Sequence, residues 1–178
     1  IKMNYAYVTI LSSLDYLNGL LVLNKSLQRV NSKYPLVAAI TKDIFSKELY
    51  DICQEHGIKV EVVFPLQYCE KTRIANAGEP VLNTASKIQI FNLVHYDKLV
   101  YLDIDIIVLK NFDDLFTFKD GSILENPEVD DPYDPGVYTS LFVFEPKNHS
   151  YNLYKFLIEN YTCFDGNLIE ELFFFFKT

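Results

Sequence analysis

Two aspartates one residue apart, Asp103 and Asp105, lie inside the apolar stretch KLVYLDIDIIVLKNFDDLF at residues 98–116. On an extended chain, residues i and i+2 point the same way about 7 Å apart. The two carboxylates can therefore aim at one point, while Ile104 between them anchors the backbone in the core. Carboxylates converging at the end of an apolar strand repel each other and lose hydration. Sharing a proton relieves this by raising one pKa. A divalent cation bridging them to phosphate oxygens relieves it as well. Manganese or magnesium suits an all-oxygen shell, and a diphosphate completes it. A bare D-x-D also arises by chance, with its aspartates ending a strand and capping local amides. Here the pair follows LVYL, runs into IIVL and precedes FDDLF, a context that favours the metal.

The surrounding elements must bring the pair to a binding rim. YAYVTILSS (5–13) reads as a strand delivering a loop. Leu17, Leu20, Leu21, Leu23 and Leu27 then fall at helical spacing, with Ser12 or Ser13 as the cap and an end near Val30. PLVAAIT (35–41) is a second strand. A helix starting at Ser46 and stopped by Gly57 follows it. IKVEVV (58–63) alternates as a third strand, and 65–80 has no periodicity. TASKIQIFNLVHY (84–96) is helical, capped by Asn83 or Thr84. KLVYLDIDIIVL (98–109) reads as strand, break and strand. GSILEN (121–126) and VYTSLFVFEP (137–146) are further strands, and a helix follows at 149–161. Strands alternating with helices, and apolar on both faces, predict an α/β fold with a mainly parallel sheet flanked by helices. Ligands in such sheets sit beyond the carboxyl ends of the strands, which places the loop after Ile10 and the aspartate pair on one rim.

The chain has 178 residues, 49% of them hydrophobic, enough for one domain with a sizeable core. Its net charge of −8 argues against nucleic acid or an anionic membrane as partner. The longest apolar run, Leu172 with four phenylalanines, is far short of the ~20 residues of a spanning helix. Cys53, Cys69 and Cys163 are odd in number and far apart, which suits free thiols in a reducing compartment. No signal peptide is visible, so the expected location is cytoplasmic.

With these elements in place, residues 98–116 resemble the metal-binding segment of the glycogenin-like, family 8 glycosyltransferases, which have the Rossmann-like GT-A fold. The resemblance implies that Asp103 and Asp105 bind manganese (or magnesium), which holds the diphosphate of a UDP-sugar donor. YVTILSSLDYLNGLLVLNKSL (7–27) is similar to the family's opening strand, nucleotide loop and first helix. That match places Ile10, Ser12, Ser13 and Tyr16 around uracil and ribose, with Tyr16 stacking on the base, and counts Ile104 among the nucleotide-binding residues. TASKIQIF resembles the helix before the metal strand. Lys87 falls where the family keeps a lysine near diphosphate and sugar; the alternative is a solvated helix face. Asn126, at the end of GSILEN, either reaches the donor sugar's hydroxyls or is a turn residue before Pro127. Lys71 and Arg73 either approach the diphosphate or are exposed charges. The implied activity is metal-dependent sugar transfer, with retention of configuration, to an acceptor that is a protein, a glycan or a small molecule. Assembly into a homo-oligomer is an open option.

Three departures mark the chain. Tyr138, Thr139 and Ser140 stand where the family has Asn-Ser-Gly or Asn-Ala-Gly. Leu168 and Ile169 stand near its Asp-Gln pair. None of His56, His95 and His149 lies in the histidine motif that supplies its third metal ligand. The simplest expectation is a single GT-A domain, 1–178, lacking its C-terminal part. The alternatives are a non-catalytic nucleotide-sugar-binding module and a phosphatase of the haloacid dehalogenase type, whose strand also ends in D-x-D.

Overall fold

The computed structural model describes residues 3–66, 80–125, 137–147, 151–152 and 155–156. Its strands are β1 (Tyr5–Leu11), β2 (Leu36–Thr41), β3 (Lys59–Val63), β4 (Lys98–Leu102), β5 (Ser122–Glu125) and β6 (Val137–Phe144). They form one sheet in the order β3-β2-β1-β4-β6-β5. Pairing is parallel from β3 through β4, whereas β6 runs antiparallel to both β4 and β5. The sheet is therefore mixed but mainly parallel, as expected.

Period-two alternation sends successive side chains to two different cores. Ala6, Val8, Val37, Ala39, Phe142 and Phe144 face one core. Tyr7, Leu11, Ala38, Ile40, Val100 and Leu102 face the other. Helices α1 (Leu17–Arg29) and α2 (Lys47–Glu55) cover the second core through Leu20, Leu23, Leu27, Leu49 and Cys53. The first core is covered by a 3-10 helix, Pro80–Asn92, whose Ala85, Ile88, Ile90 and Phe91 are buried. Helices on both faces explain why β2 is buried along its whole length.

Local chemistry sets the helix ends. Ser13 caps a short 3-10 turn, Leu14–Tyr16, that leads into α1. Ser46 caps α2 by accepting from the Leu49 N–H. Both α-helices close with the two crossed backbone bonds of a Schellman motif. In α1, Ser32 N–H donates to Leu27 O and Asn31 N–H to Gln28 O. In α2, Ile58 N–H donates to Cys53 O and Gly57 N–H to Gln54 O. Gly57 has φ 71°, and a Cβ there would meet nothing within 4 Å. Gly57→Ala therefore isolates backbone strain, with an expected loss of about 1 kcal/mol in urea unfolding.

Two local expectations are corrected. The helix expected over 84–96, capped by Asn83 or Thr84, is a 3-10 helix, Pro80–Asn92, that ends before Tyr96. The second strand expected in 106–109 does not form, and Ile107 and Leu109 are exposed. That segment has no sheet neighbour among the described residues; the Val108 N–H instead donates to Ser26 Oγ on α1 at 3.0 Å. Cys53 is a free, buried thiol; Cys69 and Cys163 lie outside the described residues. No helix among the described residues is long and apolar enough to cross a membrane.

Candidate functional site

Parallel pairing of β1 with β4, with Val8 opposite Tyr101, brings the carboxyl ends of the two central strands side by side. The loop carrying Ser12, Ser13 and Tyr16 thus leaves the sheet beside the aspartate pair. Strand β6 passes on the other side, and its Ser140 carbonyl accepts from the Asp103 N–H at 2.9 Å. The pair does not sit on extended chain. Strand β4 ends at Leu102, and Ile106 N–H closes back on Asp103 O at 3.2 Å. Asp103, Ile104 and Asp105 therefore occupy a turn at the rim, which corrects the i, i+2 geometry expected of a strand. Ile104 is half-buried against the second core, the anchoring expected of it.

Asp103 is held through a single oxygen. Its Oδ1 lies 2.9 Å from Lys87 Nζ and accepts from the Tyr101 hydroxyl at 2.6 Å. Lys87 Nζ also donates to the Thr139 carbonyl at 3.2 Å and stands 4.5 Å from the centre of the Tyr101 ring. Lys87 is 8% exposed, so the solvated-face reading is excluded. A buried ammonium needs opposite charge and acceptors, and Asp103, Thr139 and the ring face supply them. Burial first, then the Asp103 charge and hydrogen bond, push the Tyr101 phenol well above its ordinary range, so it stays a neutral donor. No described residue bonds to Asp103 Oδ2. Asp105 is exposed, and no described residue bonds to its carboxylate.

Two carboxylates on one turn, one with an open oxygen, match the hard, oxygen-preferring chemistry of manganese or magnesium. Among the described residues no group of three or more His, Cys, Asp or Glu forms a fuller cage. His56 bonds to the Ile52 carbonyl and His95 to Glu61, both at 2.8–2.9 Å, so both are structural. The donor chemistry of the pair is that of a hard, oxygen-preferring cation.

The other expected site residues fall around this turn unevenly. Ile10 is half-buried against the first core at the end of β1. Ser12 and Ser13 are partly exposed. The Ser13 hydroxyl is already engaged with Asp15, accepting from its N–H at 3.3 Å and bonding Oδ2 at 3.2 Å. Tyr16 is 51% exposed, with its ring available at the rim. Asn126, Lys71, Arg73 and His149 lie outside the described residues. Sequence reasoning missed Tyr101, although its position two before Asp103, after an apolar run, was the available signal. It also treated residues 138–140 only as a departure. Thr139 and Ser140 contribute here through backbone carbonyls, a role that side-chain identity does not fix.

The chain is similar to curated relatives in sequence and to solved structures in fold. Over 117 residues, 65% of this chain and 35% of the relative, it is 38% identical to galactinol synthase 7 of Arabidopsis thaliana. Over 164 residues, 90% of this chain and 31% of the relative, it is 32% identical to human (Homo sapiens) glycogenin-2. The chain thus spans about a third of the length of these relatives. Its fold matches the glycosyltransferase GlyE of Streptococcus pneumoniae with a TM-score of 0.64 at 21% identity, over 97% of this chain and 44% of that one. It matches the galactosyltransferase LgtC, solved with donor and acceptor sugar analogs, with a TM-score of 0.62 at 13% identity, over 94% and 70% of the two chains. The sequence model of Glycosyl transferase family 8 covers residues 7–133, from β1 through Lys87 and the aspartate turn, and the chain belongs to that family.

Proposed function

We propose that this chain is the donor-binding domain of a glycosyltransferase that uses a UDP-sugar and manganese or magnesium, and transfers the sugar with retention of configuration. The observation that carries the reading is the Asp103 carboxylate, fixed through Oδ1 by Lys87 and Tyr101 with no described residue bonded to Oδ2. Asp103 and Asp105 hold the cation. When bound, the cation neutralises charge on the UDP leaving group. Lys87 orients Asp103 and adds a fixed positive charge beside the diphosphate, a preorganised electrostatic contribution. Tyr16 offers its exposed ring to uracil, while Ile10, Ser12, Ser13 and Ile104 shape the nucleoside side of the rim. Asn126 contacts the sugar hydroxyls. The acceptor is a protein, glycan or small molecule that approaches the sugar from outside the sheet.

Membership of family 8 displaces the phosphatase alternative. Release of UDP from a panel of UDP-sugars, with manganese and with chelator, tests the proposal. Metal-dependent release from at least one donor is expected, and its absence from every donor favours the non-catalytic binding module. Lys87→Met keeps the buried apolar stem and removes the charge. It is expected to slow release by about 10²-fold, and an unchanged rate contradicts the role given to Lys87.

A further inference from the structure

We propose that Gly19 is the positioning residue of the aspartate turn, because it allows helix α1 to seat directly against the Ile104 carbonyl. The inference rests on the metal-site reading above. Glycine inside a helix weakens it, so its presence in the first turn of α1 calls for a reason. A Cβ on Gly19 would stand 2.9 Å from Ile104 O, 3.7 Å from Ile104 C and 3.8 Å from Ile104 Cγ1. The nearest of these atoms is backbone, which cannot swing aside as a flexible side chain does. The Ile104 carbonyl also belongs to the planar peptide that carries the Asp105 N–H. Displacing it tilts Asp105 directly and disturbs the turn closed by Asp103 O and Ile106 N–H.

This seat is the first of a series along one helix. Two turns further on, Ser26 Oγ accepts from the Val108 N–H at 3.0 Å. Past the helix end, the Val30 and Asn31 carbonyls accept from Asn111 Nδ2 at 3.2 and 3.1 Å. Residues 104–111 therefore run beside α1 from its start to its end, with no strand partner among the described residues. The helix acts as their splint, and Gly19 is the contact nearest the aspartates.

Calorimetry of UDP binding with and without manganese, on the full chain and on Gly19→Ala and Ser26→Ala, separates positioning from stability. Gly19→Ala is expected to weaken the manganese-dependent component about tenfold or more, the scale of lost support behind metal ligands, with metal-free UDP binding unchanged. Ser26→Ala is expected to lower the thermal midpoint while keeping manganese-dependent affinity within about twofold of wild type. Wild-type affinity in folded Gly19→Ala overturns the inference. If Gly19→Ala does not fold, amide hydrogen exchange of the wild-type chain decides instead: an Ile106 amide protected as strongly as the amides of α1 supports the seat, and fast exchange at Ile106 overturns it. Absence of manganese-dependent binding in the wild type defeats the metal-site reading itself, an outcome distinct from failure of the Gly19 variant alone.

Discussion

Asp103→Asn is expected to remove manganese-dependent UDP binding, leaving only the affinity measured without metal. The substitution preserves volume and changes two things at once. The asparagine carbonyl can still accept from Lys87 and Tyr101 at the Oδ1 position, where these donors converge at 2.9 and 2.6 Å. Its amide nitrogen then occupies the place of Oδ2 and presents hydrogens where a cation needs an oxygen. The negative charge is lost as well, so the buried Lys87 ammonium keeps only neutral acceptors. The expected penalty on metal-dependent affinity is about 3 kcal/mol, or more than a hundredfold. Titration of UDP into manganese-loaded protein reads it, and an affinity equal to wild type contradicts the assignment of Asp103.

A second carboxylate, ten residues on, has the opposite kind of role. Asp113 belongs to FDDLF, close to the aspartate pair in sequence, yet it is a buried structural hub. Its Oδ1 accepts from the Tyr7 hydroxyl at 2.9 Å and the Ser32 hydroxyl at 2.8 Å. Its Oδ2 accepts from the Lys33 N–H at 2.9 Å and Asn111 Nδ2 at 3.1 Å. The hub ties β1 and the end of α1 to the 3-10 turn Asp113–Thr117, whose Phe116 packs among Tyr5, Tyr7 and Tyr34. Asp113→Ala strands several buried donors and is expected to cost about 3 kcal/mol or more in urea unfolding at pH 7. Burial alone would push this carboxyl up, but the bonds from Lys33, Ser32, Asn111 and Tyr7 outweigh it and hold it below its ordinary value. A depressed folded pKa contributes stability that is complete above the unfolded value, about 3.9, and is lost as pH falls through the folded one. The gap between wild type and Asp113→Ala is therefore expected to narrow below about pH 4. A constant gap down to the acid limit contradicts the charge-based account.

What could be read from the sequence was mostly what is decided locally. The Ser46 cap and the Gly57 stop of α2 depend on a few neighbouring residues, and both stand as expected. So do β1 and β2, whose apolar runs demand burial on both faces. The D-x-D spacing placed the pair beside the end of β1, where it lies, but on the wrong backbone. Residues 98–109 look continuous, but after Leu102 the chain turns, with Ile106 N–H on Asp103 O, and then lies against α1 through the distant Ser26 hydroxyl, a contact the local pattern does not encode. Lys87 shows the same limit. Helical spacing gives a lysine a face but does not reveal that Asp103, sixteen positions on, and Thr139 take it into the interior. Gly19 was silent for a related reason: a glycine in a helix acquires meaning only from a backbone, here the Ile104 carbonyl, that would stand 2.9 Å from a Cβ placed there.

If the turn at Asp103 and Asp105 is a metal-dependent site for the UDP portion of a sugar donor, manganese must tighten UDP binding. Titrating UDP into the wild-type chain with manganese present, and again after chelation, reads that difference. Binding at least about a hundredfold tighter with manganese than without it is the predicted result. Equal affinity under the two conditions contradicts the claim.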